Sequence, residues 1–292
     1  GLVLGLIAVF LRESFDDSVK SAEELEKKFG LPVLGIIPNV KGKGKGKGTK
    51  ALAFVTHKYP RGRLAEAYRS LRTALQFTSS AGAPNRIVVS STTNTEGKST
   101  TALALALNFA QLGVKVALID ADMRNPMVHE YFGIDNSSGL SSYLSGHDPK
   151  GTLFNSRAGN VDNLTVITSG PVPSNPVELL NSSKFSELLD ALTESGYEQI
   201  IIDGPPVLGL ADAVVLGRKV MMLYVTQANA TRIGHISAAL RRLRMSAVVP
   251  MGFVLTRATA ARSSYYAHDA YYGYGAFPVP IEPRQSPSAL PG

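Results

Sequence analysis

Residues 91–100 read Ser-Thr-Thr-Asn-Thr-Glu-Gly-Lys-Ser-Thr, and the residues on either side decide what the string means. Before it runs the apolar Arg86-Ile-Val-Val-Ser90; after it an Ala/Leu-rich stretch from Thr100 to Leu112 has helical character. A strand, a loop of small residues ending Gly-Lys-Ser and a helix form the setting in which a loop wraps phosphate. Backbone N–H groups at a helix N-terminus point at anionic oxygens, and the helix dipole adds to the attraction. Thr95, Glu96, Gly97, Lys98, Ser99 and Thr100 are predicted to line the site, with Lys98 reaching the outer phosphates of a nucleotide and the Ser99 hydroxyl on Mg²⁺. The alternative is a Gly-Lys-Ser tripeptide in a surface turn. Loops of the common pattern open with Gly five residues before Gly97; Thr92 stands there, so the loop is a variant.

Two further strands end in acid. Val114-Lys-Val-Ala-Leu-Ile119 runs into Asp120-Ala-Asp122-Met-Arg124-Asn-Pro126. Carboxylates two residues apart lie on one side of an extended chain, and such a pair is best explained by a cation beside it. The alternative is a polar strand end entering a turn, which Asn-Pro also signals. Gln199-Ile-Ile-Ile-Asp203 ends the same way, before Gly204-Pro205-Pro206. Asp203 suits Mg²⁺ directly or through water, and Asp120 and Asp122 are candidates for a second metal ligand and a general base.

These three segments resemble the Walker A, Walker A′ and Walker B motifs of the bacterial tyrosine kinases of capsule and exopolysaccharide export. The segment Gly170-Pro-Val-Pro-Ser-Asn-Pro-Val-Glu-Leu-Leu180 is also similar to a family segment, and the likeness runs to roughly residue 275. It implies an ATP- and Mg²⁺-dependent autokinase in the cell membrane. The partners it implies are copies of itself in a ring, the polysaccharide polymerisation and export machinery and a tyrosine phosphatase; no nucleic acid is expected. Glu66, Arg69 and Arg72, three apart on one helix face, match the family's oligomerisation motif; on their own they read as a solvated helix with one ion pair. Tyr265, Tyr266, Tyr271, Tyr272 and Tyr274 are five of the eleven tyrosines, gathered within ten residues among Gly, Ser and Ala. The resemblance makes them the phospho-acceptors that neighbouring kinases modify. By composition alone the segment is a flexible tail that builds no core.

Composition fits this frame. With 292 residues and 44% hydrophobic content the chain holds one large domain plus arms, and the lack of cysteine excludes disulfides and thiolate metal sites. The net charge of +7 includes the Lys41–Gly48 tract, a flexible basic linker suited to anionic headgroups. Residues 1–11 are apolar and uncharged but too short to span a bilayer, and basic residues follow them; they read as the end of a transmembrane helix, with a short buried helix as the alternative. The expected organisation is a membrane remnant at 1–11, a juxtamembrane helix and linker at 12–50, a P-loop kinase domain at 51–260 and a Tyr- and Pro-rich tail at 261–292. Its fold class is α/β, a P-loop NTPase-type parallel sheet with helices on both faces. Later strands are expected at 164–168, 220–226 and 248–255, and helices at 184–194 and 232–245.

Two departures matter. Thr95 and Asn94 replace the family's usual Gly and Pro, and a positive φ at Thr95 costs on the order of 1–2 kcal/mol. Thr256 replaces a usual Asn near the adenine. Three readings follow: a tyrosine autokinase; a catalytically weak nucleotide-binding assembly protein of polysaccharide export; and a partition- or septum-site-type ATPase. The third lacks its customary early loop lysine, since Thr92, Thr93 and Asn94 supply none.

Overall fold

The computed structural model describes residues 17–40, 54, 61–80, 82–147, 155–156 and 161–259. In chain order the elements are α1 (Ala22–Phe29), β1 (Val33–Pro38), α2 (Arg63–Gln76), β2 (Arg86–Ser91), α3 (Lys98–Ala110), β3 (Val116–Asp120), α4 (Val128–Phe132) and α5 (Leu140–Ser145). They continue with β4 (Asn155–Ser156), β5 (Leu164–Ile167), α6 (Pro176–Asn181), α7 (Ser183–Glu194), β6 (Gln199–Asp203), α8 (Asp212–Lys219), β7 (Met221–Gln227), α9 (Ile233–Met245) and β8 (Gly252–Ala258). One sheet runs in the order β1-β8-β7-β2-β6-β3-β5-β4, with seven parallel strands and only the two-residue β4 antiparallel.

The strands explain the layering. Strands of a sheet covered on both faces read as continuous apolar runs, with successive side chains pointing to opposite sides. Ile87, Val89, Leu118, Ile201 and Leu223 join a core with α2 and α3, while Val88, Ile119, Ile200, Ile202, Tyr224 and Phe253 join one with α1 and α5 to α9. All thirteen residues of α3 are buried. This helix, which begins at the nucleotide-loop candidate, has no solvent face on which to shift.

The predicted elements appear with boundaries moved by a few residues, but the N-terminal edge of the domain differs from the expectation. Leu31–Pro38, assigned to a juxtamembrane region outside the kinase domain, supplies β1, and Val33 pairs with Phe253 of β8. Leu25 of α1 is fully buried in the same core. The folded unit therefore begins by residue 17, not at 51. Pro32, Gly35 and Pro38 interrupt the apolar run and mask its strand character; at the edge of a sheet, Pro38 forgoes no interior ladder bond.

Among the described residues no helix is long and apolar enough to cross a membrane. The proposed membrane remnant at 1–11, the Lys/Gly tract at 41–48, the tail at 261–292 and all five of its tyrosines lie outside the described residues.

Candidate functional site

The parallel order places the C-terminal ends of β2, β3 and β6 side by side, which brings the three motifs together. β3 and β6 pair in register so that Asp120 faces Asp203, and β6 also pairs with β2, whose end opens the loop. Crevices outside the carboxyl ends of strands are where open α/β sheets bind ligands.

Lys98, the first residue of α3, is buried and lies between two carboxylates. Its Nζ is 2.7 Å from Asp122 Oδ2 and 3.4 Å from Asp203 Oδ1, and it donates to Ser99 Oγ at 3.2 Å. The contact with Asp122 is a close, buried ion pair. Burial alone lowers a lysine pKa; here Asp203 and then Asp122 overturn that and hold Lys98 above its usual range. Burial raises the Asp203 carboxyl, against the opposing pull of Lys98 and the Ser99 hydroxyl.

Asp120 is wired differently. Its Oδ1 accepts the Asp122 N–H at 3.2 Å, and its Oδ2 accepts the N–H groups of Met127 (3.0 Å) and Val128 (2.9 Å). The carboxylate thus gathers the turn after β3 and sets where Asp122 points. Burial, and next the nearby Asp203, push the Asp120 carboxyl up to about 8. Asp203 Oδ2 is buried with no hydrogen-bond partner, while Asp122 Oδ2 faces the Lys98 ammonium. Among the described residues no group of three or more His, Cys, Asp or Glu side chains forms a ready metal cage.

The loop itself matches the strain expected of its sequence. Thr95 is exposed with φ at 70°, and Gly97, at φ 100°, precedes α3. Thr100 is buried in the first turn of α3. Glu96 turns inward, accepting the N–H groups of Thr92 and Thr93.

Several participants carry no local signal in the sequence. Thr231 donates to Glu96 across 135 positions, and Tyr224 donates to Thr92 at 3.0 Å. Thr256 donates to Glu96 O at 2.7 Å, so it too contacts the nucleotide loop. Arg124, 43% exposed, pairs through Nε with the buried Asp212 at 3.2 Å, and Asp212 Oδ1 has no hydrogen-bond partner. Glu66 and Arg69 form an ion pair along α2, whereas Arg72 turns to α3 and donates to Asn108 O at 3.3 Å.

Residues 87–273 match the family CbiA, described as the CobQ/CobB/MinD/ParA nucleotide binding domain. The chain is 30% identical over 270 residues to the tyrosine-protein kinase ptk of Acinetobacter johnsonii, covering 91% of this chain and 36% of that protein. It is 43% identical over 159 residues to the tyrosine-protein kinase YwqD of Bacillus subtilis strain 168, covering 54% of this chain and 65% of that one. The chain thus spans little more than a third of the Acinetobacter protein's length. The kinase domain of the Escherichia coli tyrosine kinase ETK superposes with a TM-score of 0.74 at 31% identity, over 88% of this chain and 99% of that domain. With a nucleotide-type loop, acidic strand ends meeting at its lysine and kinase domains matched almost end to end, the chain belongs to the CobQ/CobB/MinD/ParA nucleotide-binding domain family and, within it, to the bacterial tyrosine kinases.

Proposed function

We propose that this chain is the catalytic part of a protein-tyrosine autokinase that binds Mg·ATP at Lys98 and phosphorylates the tyrosine cluster at 265–274 of a neighbouring copy, in exopolysaccharide polymerisation and export. One observation carries the reading: Lys98, at the N-terminus of a wholly buried helix, is held by one carboxylate that follows β3 and another that ends β6. The α3 N-terminus and the loop amides attract the phosphates, and Lys98 turns from its carboxylates toward them as they arrive. Ser99 Oγ and Asp203 Oδ2, which has no hydrogen-bond partner, form a hard-oxygen set that fits Mg²⁺, with Asp122 beside it. The ion, when bound, neutralises charge on the transferring group.

A free phenol has a pKa near 10 and needs a proton acceptor at neutral pH. Asp122 fills that role, since Asp120 already accepts three backbone amides. The phenolic oxygen attacks the γ-phosphorus, its proton passes to Asp122, the bond to the β-phosphate oxygen breaks and ADP leaves. Glu66 and Arg69, on the outer side of α2, form the contact between copies in a ring, at a cell membrane reached through residues 1–11. A tyrosine phosphatase reverses the modification.

The test is incubation with Mg·ATP and a phosphotyrosine readout on wild type, Lys98→Met and a variant with all five tail tyrosines changed to Phe. Signal in wild type and loss in both variants supports the autokinase. A silent wild type favours the second reading, a nucleotide-binding assembly protein, which the left-handed Thr95 also favours.

A further inference from the structure

Glu96 is 3% exposed, and among the described residues its carboxylate has no cationic partner. Four donors hold it instead. The N–H groups of Thr92 and Thr93 reach Oε2 at 2.8 and 3.3 Å. The hydroxyls of Thr93 and Thr231 reach Oε1 at 3.1 and 2.7 Å. A buried charge so completely hydrogen-bonded fixes the path of the backbone that supplies the bonds. Here that backbone is the nucleotide loop itself.

Thr231 is the outlying member, in the turn between β7 and α9, where its Oγ1 also accepts the Gln227 N–H at 3.0 Å. The segment ahead of α1 staples that turn in place. Val19 N–H donates to Thr231 O at 2.9 Å, Asn229 N–H to Val19 O at 2.7 Å and Ile233 N–H to Asp17 O at 2.8 Å. The Asp17 carboxylate accepts the Gly234 N–H at 3.1 Å, so it caps α9, whose own preceding residue Arg232 supplies no side-chain cap.

We propose that Glu96 and Thr231 are a positioning pair that holds the nucleotide loop in its phosphate-receiving shape, and that the docked segment Asp17–Val19 sets the pair's geometry. This rests on the nucleotide reading of the loop. Neither residue touches the reacting atoms; both act through the amides of Thr92 and Thr93. Whatever displaces residues 17–19 then loosens the loop from a distance.

The experiment compares wild type, Thr231→Val, Thr231→Ser and Asp17→Ala by two readouts. One is hydrogen exchange of the 91–97 amides in nucleotide-free protein; the other is the Kd for fluorescent ADP with Mg²⁺. Valine keeps the shape of threonine and removes only the hydroxyl, and a melting curve for each variant reports the folded fraction. Thr231→Val is expected to speed exchange at Thr92 and Thr93 and to weaken ADP about tenfold. Thr231→Ser, which keeps the hydroxyl, stays within about twofold of wild type, and Asp17→Ala weakens ADP by about threefold. Loop exchange in Thr231→Val equal to wild type overturns the pairing, as does a loss of ADP affinity that only follows a loss of folded protein. A wild type that binds no ADP sinks the nucleotide reading instead, while the exchange data still decide the brace.

Discussion

Replacing Thr95 with glycine tests the strain in the nucleotide loop. Thr95 sits at φ 70° with its side chain in solvent. A β-branched residue pays about 1–2 kcal/mol for the left-handed region, because its Cβ crowds the following carbonyl. Glycine carries no such penalty there, and the exposed threonine gives up little packing. Against this, glycine loosens the unfolded chain by about 0.4–1 kcal/mol. The difference is a net stabilisation of about 0.5–1 kcal/mol, or a rise of roughly 1–4 °C in Tm for a domain of this size. Urea unfolding should show a higher midpoint at unchanged slope, which separates a stability change from a change in the denatured state. Thr95→Ala relieves the branching but keeps a Cβ, and should fall between the two. A glycine variant less stable than wild type would show that the side chain contributes more than its backbone costs, and the strain argument fails.

Lys98→Met leaves the buried Asp120, Asp122 and Asp203 with no cation, and should cost about 3–5 kcal/mol at pH 8. The loss shrinks toward pH 6 as the cluster takes up a proton; equal melting temperatures for variant and wild type at pH 8 would refute this. The same chemistry gives the nucleotide-free wild type a pH slope. Asp120 rises from 3.8 unfolded to about 8 folded, so its contribution is complete below the unfolded value and is lost as pH climbs through about 8. Melting temperature should therefore fall from pH 6 to 8.5, and fall less with Mg·ADP; a slope of the opposite sign rejects the assignment. Asp203→Asn should reduce autophosphorylation about 10²-fold or more, measured as initial rate at saturating ATP. Arg72→Ala should destabilise by about 1 kcal/mol, because its guanidinium ties α2 to Asn108. Glu66→Ala and Arg69→Ala should shift stability by less than about 0.5 kcal/mol yet lower the oligomer mass in light scattering; unchanged mass removes α2 from the ring contact.

The interior of the fold was readable because buried parallel strands advertise themselves: Gln199-Ile-Ile-Ile-Asp203 is the observed β6 residue for residue. Lys98, Asp122 and Asp203 were readable because each ends or follows such a run. β1 was not, since two prolines and a glycine hide a strand whose partner lies at the far end of the chain. Thr231 and Asp212 were invisible for a related reason. A single hydroxyl or carboxylate in a turn has no periodicity, and its meaning comes only from the distant group that three-dimensional packing brings to it. The division between Asp120, which shapes a turn, and Asp122, which faces the lysine, likewise depends on which backbone amides come within reach.

Because β1 is the first and β8 the last of the described strands to be made, the described sheet closes between its earliest and latest parts. Val33 must wait for Phe253, 220 positions later. At ribosomal speeds of about 5–20 residues per second this leaves the nascent strand unpaired for roughly 10–45 s. During that time its apolar residues are open to chaperones or to wrong neighbours. Its brevity and terminal proline restrict what else it can template, and completion of the sheet becomes a late event, coming after the lysine and its carboxylates have already been synthesised.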